Sequence, residues 1–595
     1  MKFAFKPIAI AAALAFIGTA AVASPMKPGT YTAKVNGHNA PLTVEVTVDA
    51  NKILSIKTPD DQESLGVGKV GLKKTADNIL RYQSIGVDAV TGATFSSNAL
   101  KEGVEKCLKQ AGADMKQFTR KAEKHPIHNR TYQADVVVIG GGGAGLASAI
   151  SSMQAGAKKV IVLEKLGYVG GSTNVSEGAL NAVDDQRQKA QGIKDSYETF
   201  YETTMHGGHD KGDPTLVRFL TSHSMDAVNW LESLGVKFND HIGAATGSLG
   251  QRSHYPATPY GNTYIRTFEK VIADSNGKIQ VLLDTPAVKL IQNKSGRVVG
   301  VVGNNFGSKV TVMAKDGVII ATGGFGANVA YRQKVNTGVW KNIKLDNSIG
   351  CTNIQKAAQG QGLFLAQKVG AKLIGLSDIQ IHPCGTPGTG LMENIRTSGR
   401  NRIFVNSDGN RFVNEGAARD VLANAIFQQK GRTYWIVVNK LRYPTPDFKD
   451  RMGASIRNME ALGAVVEAPT LDALAKKTGM NAENLKKAIA DYNAVVSGKA
   501  KDKLGFVANN KDDKQMTEGP WYACRKVPTV HHTMGGIKIN VKSQVINTKG
   551  KVIPGLYAVG EVTGGIHGSN RLGGNAIADI MTFGHAVGPH IVQGK

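Results

Sequence analysis

Gly140, Gly142 and Gly145 stand in G-x-G-x-x-G spacing directly after the apolar run 136–139. A helical pattern starts at once, so free N-terminal amides point at whatever the turn holds, and a pyrophosphate is the anion such a terminus takes. The first glycine makes the turn, and the second lets the backbone approach the phosphate. The third lets helix pack on strand, with Gly143 and Ala144 as the small residues between. Glu164 closes the next strand, nineteen residues after Gly145, where a carboxylate accepts ribose hydroxyls. Strand, helix, second strand and terminal acid together specify a dinucleotide site. Gly171-Ser172-Thr173, Gly323-Gly324 and the run from Gly560-Glu561 to Asn575-Ala576 belong to distant segments. Several loops converging on one cofactor point to a deeply held, non-covalent FAD rather than an exchangeable NAD.

A second stretch offers hydroxyls. In VDAVTGATFSSNAL (87–100), Thr91 and Thr94 bracket Gly92 and Ala93, and Ser96 and Ser97 follow just before a helical pattern over 98–109. The two tiny residues let another molecule reach the Thr94 hydroxyl, and a helix start favours a phosphate there. A serine or threonine helix cap is the ordinary alternative.

The elements that position these groups follow from the pattern along the chain. Residues 28–58 alternate in strand fashion through TYTAKV, LTVEVTVD and KILSIKT, with turns at 36–39 and 49–51. Residues 115–130 are polar and basic, contain Pro126, and read as a linker. From Tyr132 the order is strand, glycine turn, helix, strand. The runs 309–324 and 555–565 look like buried strands entering glycine turns. Between them, 377–530 is mixed, with amphipathic helices at 471–476 and 482–497, and reads as an insertion.

With 595 residues the chain exceeds one core, and two to four domains are expected. A hydrophobic content of 41% with 20% charged residues describes a globular protein, and 70 glycines suit nucleotide loops better than a helical bundle. Residues 1–23 have a basic start at Lys2 and Lys6, an apolar middle and the small-residue end Ala21-Val22-Ala23, which is the form of a secretory signal peptide. Export to the periplasm is therefore expected. No later run reaches the roughly 20 apolar residues of a membrane span, so no stable membrane insertion is expected. The formal charge of +25 has no nucleic-acid motif beside it; it suits small carboxylates or an acidic redox partner. Cys107, Cys351, Cys384 and Cys524 are widely spaced, without the C-x-x-C of a zinc ribbon or the C-x-x-C-H of haem attachment, and read as buried thiols. No metal is expected.

Four longer motifs occur in order: IHP (381–383), NRFVNEGAARD (410–420), HHTMGG (531–536) and GEVTGGIHGSNRLGGNA (560–576). Through them, residues 130–595 resemble the soluble fumarate reductase family of flavoproteins, which includes the flavocytochrome c fumarate reductases and urocanate reductase. The stretch D-x-x-T-G-A-T-x-S resembles the flavinylation motif of FMN-binding domains. There the second threonine, here Thr94, carries FMN through a phosphoester placed by a flavin transferase outside the cytoplasm. The expected architecture is α/β: a signal peptide (1–23), a small α+β FMN-binding domain (24–114) and a linker (115–130), then a Rossmann-like FAD-binding domain in two parts (131–376 and 531–595) around an α+β capping domain (377–530).

The resemblance also implies roles. His531 and Arg571 match the residues that grip the carboxylate beside the reacting carbon, with Gly574 alongside, and His382 matches the histidine at the other end of the substrate. Arg419 matches the proton donor, and Glu393 with Arg396 the relay to solvent. His532, Glu561, Asn575 and Ala576 fall on the cofactor side. The chemistry is consistent. Hydride from flavin N5 adds to an alkene carbon only when cations drawing on a neighbouring carboxylate make that carbon electrophilic. An acid must then protonate the adjacent carbon. An arginine, with a pKa above about 12, serves only if it is reprotonated at once.

One position departs from the family. Fumarate reductases have threonine immediately before the relay glutamate, where it helps hold the distal carboxylate; here it is Met392, which cannot donate a hydrogen bond. A short deletion precedes Glu393 and an insertion follows it. The expectation is a periplasmic respiratory reductase of a urocanate-, acrylate- or cinnamate-type acid, or of fumarate, with electrons from a quinol-linked donor passing through FMN to FAD. The alternatives are a fumarate reductase proper, an FAD dehydrogenase or oxidase working in the oxidative direction, and an electron-carrier module.

Overall fold

The computed structural model describes residues 25–121, 125–258, 260–450, 453–508 and 513–594; the signal peptide expected at 1–23 lies outside the described residues. The N-terminal domain is a three-stranded antiparallel sheet, Gly29–Asn36, Pro41–Val48 and Ile53–Lys57, in sequence order. Alternation in the middle strand turns Leu42, Val44, Val46 and Val48 to one face. The helices Gly68–Tyr82 and Thr94–Gln110 cover that face, burying Leu72, Ile79, Leu100, Val104 and Cys107 in one core.

The expected linker starts too early. Asp114 caps a short helix, Met115–Phe118, and Phe118 is buried in the N-terminal core. The Phe118 carbonyl accepts hydrogen bonds from the Ile85 amide and the Ser84 hydroxyl. An apolar ring placed among polar neighbours ties this segment back to its own domain.

The second domain is built on an eight-stranded sheet. Ile279–Leu282, Val160–Leu163, Arg130–Ile139, Ser308–Ile320 and Val552–Ala558 run parallel in that spatial order. Covered on both faces, the first strands read as continuous β-branched runs. Helix Gly143–Gln154 and the C-terminal helix Asn575–Gln593 pack against each other in the same core. Strands 130–139 and 308–320 end level, Ile139 beside Ile320, so that both glycine turns open at one sheet edge.

The inserted domain carries a five-stranded antiparallel sheet. Ile379–Gly385, Trp521–Thr533, Tyr434–Asn439 and Arg402–Val405 are neighbours in that order, and Val466–Ala468 pairs with 521–533. The expected helices are present as Leu471–Thr478 and Ala482–Val496. The boundary expected between 530 and 531 falls inside one strand, Trp521–Thr533, which runs from the cap sheet to the cofactor side without a break. All four cysteines are buried with free thiols.

Candidate active site

The two glycine turns border a cleft of about 890 Å³. Gly140, Gly142, Gly143, Ala144, Glu164, Gly171, Ser172, Thr173, Gly323, Gly324 and Glu561 all line it. The residues fit FAD. A Cβ on Gly323 would meet nothing within 4 Å, and one on Gly142 only a carbonyl at 3.9 Å, so these backbones leave room for a phosphate. Gly142 caps helix Gly143–Gln154 without a side chain, leaving its amides available. Gly145 does not line the cleft; its Cβ would stand 1.8 Å from the Gly140 carbonyl oxygen, so it serves close packing. Glu164 accepts hydrogen bonds from the Gly141 and Leu166 amides, and burial pushes its carboxyl above the usual range.

Asn575, Ala576 and His532, expected on the cofactor, stand outside this lining. The Asn575 side chain is held by Asn181 and Thr204, and Gly574 caps the helix in the left-handed region. Lys165, Asn353 and Gln361 line the cleft, and no glycine motif marks them in the sequence.

Beside the cleft lies a buried cluster of two histidines and two arginines. His382 is on strand 379–385, and the ring centroids of His382 and His531 are 4.8 Å apart. Their approach depends on an irregularity. Gln380 pairs with His532 but Ile381 pairs with Val530, so His531 is the extra residue of a bulge, the device that re-aims side chains at sites. Thr352 holds His531 Nδ1 at 2.6 Å, and Asn353, next in sequence, lines the FAD cleft. His382 Nδ1 accepts the Cys384 amide at 3.1 Å. Burial and then the neighbouring cations hold both rings well below the usual histidine range, so both are neutral. A neutral His382 that accepts at Nδ1 must carry its proton on Nε2, as a donor.

Arg419 begins helix Arg419–Phe427, where a cation opposes the helix dipole. It does not pair with Asp420, whose partner is His209. Its Nε donates to the Thr246 carbonyl and its Nη1 to Gln380 Oε1, both at 3.1 Å. Gln380 also donates to the Arg571 carbonyl at 2.7 Å and to Asn570, so one buried amide ties both arginine segments together. Gln380 was not legible as a site residue, although its two-residue offset from His382 puts both on one strand face. Burial pulls Arg419 down to about 10, with Glu177 partly offsetting it. Burial and then the field of Arg419 lower Arg571 well below its usual range, and among the described residues its buried Nε has no hydrogen-bond partner. Below them His532 Nε2 is likewise unsatisfied, and burial raises the nearby Glu561 to about 7.

The expected relay pair is not together. Arg396 Nη1 donates to Glu177 at 3.3 Å, while Glu393 forms its ion pair with His38 of the N-terminal domain at 3.0 Å. The loop bearing Glu393 has no regular element to fix its direction, and a histidine across the interface attracts the carboxylate. Burial lowers the His38 pKa, but the hydrogen bond and charge of Glu393 outweigh it and raise His38 to about 9. The pair's contribution is thus complete below the ordinary value of 6.5 and lost as pH rises through about 9. An NMR titration of His38 should show its midpoint near 9, moving to lower pH in Glu393→Gln, where only Asn39 and the charge of Glu63 remain to oppose burial.

Thr94 is exposed at the first turn of helix Thr94–Gln110, whose cap, Ala93, offers no side chain. The two serines are buried and employed: Ser96 donates to Glu63 at 2.6 Å, and Ser97 accepts the Val90 amide. Gly92, at φ +92°, lies under Tyr168, which donates to its carbonyl at 3.1 Å. Val90, Ala93, Leu166 and Tyr168 form an apolar contact between the domains, and Leu166 also lines the FAD cleft.

A family model for the FAD binding domain matches residues 135–577, and one for the FMN-binding domain matches 37–109. The chain belongs to the FAD-binding domain family, with an FMN-binding domain ahead of it. It is an FAD-dependent oxidoreductase. It is 34% identical to a urocanate reductase of Eggerthella lenta, over 94% of this chain and 91% of that protein. It is also 34% identical to an NADH:acrylate oxidoreductase of Vibrio harveyi, over 94% of this chain; the match spans 61% of that longer protein. A flavocytochrome c3 fumarate reductase, solved in an open conformation, aligns with a TM-score of 0.63 at 34% identity over 78% of each chain.

Proposed function

We propose that the protein reduces the C=C bond of an α,β-unsaturated carboxylate in the periplasm, with electrons entering through FMN esterified to Thr94. The observation that carries this reading is the buried cation cluster. Arg419 and Arg571 are 7% and 5% exposed, the field of Arg419 adds to burial in lowering Arg571, and among the described residues Arg571 Nε has no acceptor. A buried cation without its counterion costs several kcal/mol, so the pocket is built for an anion that arrives as ligand.

When bound, FAD supplies the hydride. The chain supplies the remainder. Arg571 and the neutral His531 hold the carboxylate next to the double bond, and Arg can do so with two parallel hydrogen bonds. Charge drawn onto that carboxylate makes the β-carbon the acceptor. Arg419, softened by burial and steered by Gln380 and Thr246, yields a proton to the α-carbon. The donor Nε2–H of His382 suits a substrate with a polar group at its far end, and Met392 has no hydrogen bond to donate to a distal carboxylate. The signal-peptide form of residues 1–23 supports export, where flavin transferases act. Among the described residues no helix is long and apolar enough to cross a membrane.

The test is anaerobic oxidation of reduced methyl viologen by protein exported from a flavinylating host. The panel is fumarate, urocanate, acrylate, methacrylate and cinnamates. One monocarboxylate should turn over fast and fumarate at least about tenfold slower, the discrimination expected when a single polar contact is missing. Fast fumarate turnover would make it a fumarate reductase proper. Turnover of no acid, with both flavins present, would sink the reductase reading.

A further inference from the structure

Gln380 joins the Arg419 and Arg571 segments inside the pocket, and a second tie joins the same two segments at its rim. The loop 207–213 lies between the helices Tyr197–Gly207 and Pro214–Ser233 of the FAD domain. Hydrogen bonds fasten it to the segment that carries Arg571. The Gly208 carbonyl accepts the Ser569 amide at 2.9 Å, the Gly207 carbonyl accepts Asn570 Nδ2 at 3.2 Å, and the Asp213 amide donates to the Gly565 carbonyl at 2.6 Å. At the tip of the loop His209 bridges outward. Its Nε2 is 3.2 Å from Asp420 Oδ2, and its Nδ1 is 2.8 Å from Ser569 Oγ. Asp420 follows Arg419 in the first turn of the cap helix, and Ser569 stands two residues before Arg571. Lys211 also reaches Asp378 of the cap, at 3.4 Å. The chain holds this tip in an unfavourable form. His209 and Asp210 both have a φ of 56°, in the left-handed region that residues other than glycine adopt at a cost. Such outliers gather where the surrounding structure puts a side chain to use.

We propose that His209 is a positioning residue for the reaction: it ties the start of the Arg419 helix to the Arg571 loop, so that proton donor and carboxylate clamp meet one substrate at a set separation. This rests on the reductase reading. Thr246 and Gln380 hold the guanidinium end of Arg419. His209 holds the other end, the helix start from which that side chain extends, through the neighbouring Asp420. With both ends held, the side chain cannot pivot about its hydrogen bonds. The need is chemical. Hydride and proton arrive on adjacent carbons, and a misplacement of about 1 Å in a donor costs up to about 10²-fold in rate. His209 itself is half-exposed at the rim and has no part in the lining of the FAD cleft.

The experiment crosses His209→Gly with Arg419→Ala in the full-length holoprotein, with His209→Asn beside them. Glycine suits a φ of 56°, so the loop keeps its path and the variant loses only the ring. FAD is reduced by dithionite so that electron entry is not limiting, and its reoxidation by the enoate is followed in stopped flow. Flavin content and the Kd of the saturated product acid are measured alongside. His209→Gly should slow reoxidation by between about ten- and 10²-fold, with flavin content unchanged. The loss should lie in the rate and not in the product Kd, because His531 and Arg571 keep their places. His209→Asn tolerates the same backbone, and its shorter side chain serves one partner, so it should recover part of the rate. In the Arg419→Ala background no guanidinium is left to place, and there His209→Gly should cost about twofold or less. If His209→Gly stays within about twofold of the wild type, or if it costs the same factor with and without Arg419, the positioning role is overturned while the reductase reading stands. A wild type that reduces no enoate overturns both.

Discussion

Arg419→Ala is expected to lower enoate turnover by on the order of 10³-fold, the scale of losing a positioned general acid, while both flavins remain bound. Three features make the effect large and specific. Arg419 is not part of the FAD cleft lining, so its removal leaves the cofactor's cradle intact. Among the described residues its side chain donates to Thr246 and Gln380, which hold the guanidinium in one orientation rather than anchoring the fold. Burial has already pulled its pKa to about 10, which shortens the energetic distance to proton release. Arg419→Lys should fall between, roughly 10²-fold down, because a compact ammonium cannot serve Thr246 and Gln380 in the same fork. Stopped-flow reoxidation of the dithionite-reduced protein by substrate reads this directly. A variant that reoxidises within tenfold of the wild type would remove Arg419 from the proton-transfer role.

Thr94→Val should abolish FMN attachment altogether. The mass of the exported variant would lack the FMN increment, and turnover driven by the one-electron dye would fall to the rate at which FAD is reduced directly. Stability offers a control on this interpretation. Thr94 is exposed and makes no capping bond, so its replacement should change stability by no more than about 0.5 kcal/mol. Ser96→Ala, by contrast, leaves the buried Glu63 short of the Ser96 hydroxyl and should cost about 1–3 kcal/mol without removing the attachment site. Equal mass and equal dye-driven turnover in Thr94→Val and wild type would show that the FMN is not carried there. The apolar contact of Val90 and Ala93 with Leu166, which itself lines the FAD cleft, joins the Thr94 segment to the FAD side of the domain interface.

Much of the molecule was legible because its determinants are local. Strand alternation in 41–48, the apolar run before Gly140 and the acid at the end of the next strand each depend on residues a few positions apart. Backbone geometry converts such spacings into a pleat, a turn and a helix start with little outside help. The Thr94 stretch is similar: a hydroxyl after two tiny residues at a helix start is a local fact, and the structure adds that Ser96 and Ser97 are the ones turned inward.

What the tertiary structure alone decided concerns groups far apart in the chain. Gln380 meets Arg419 and Arg571 across 39 and 191 positions. His531 approaches His382 because of a one-residue bulge that no periodicity announces. Phe118 turned an expected linker into part of a core. The carboxylates show the reason most plainly. The E-x-x-R spacing places Glu393 and Arg396 close in sequence, but in a loop without regular hydrogen bonds the side chains follow the strongest nearby charge. Glu393 found His38 and Arg396 found Glu177, partners 355 and 219 positions away by number. By itself the sequence determined which elements form and which cofactors they hold. Which charge meets which was settled only by folding, because Coulomb attraction acts through space and takes no account of order along the chain.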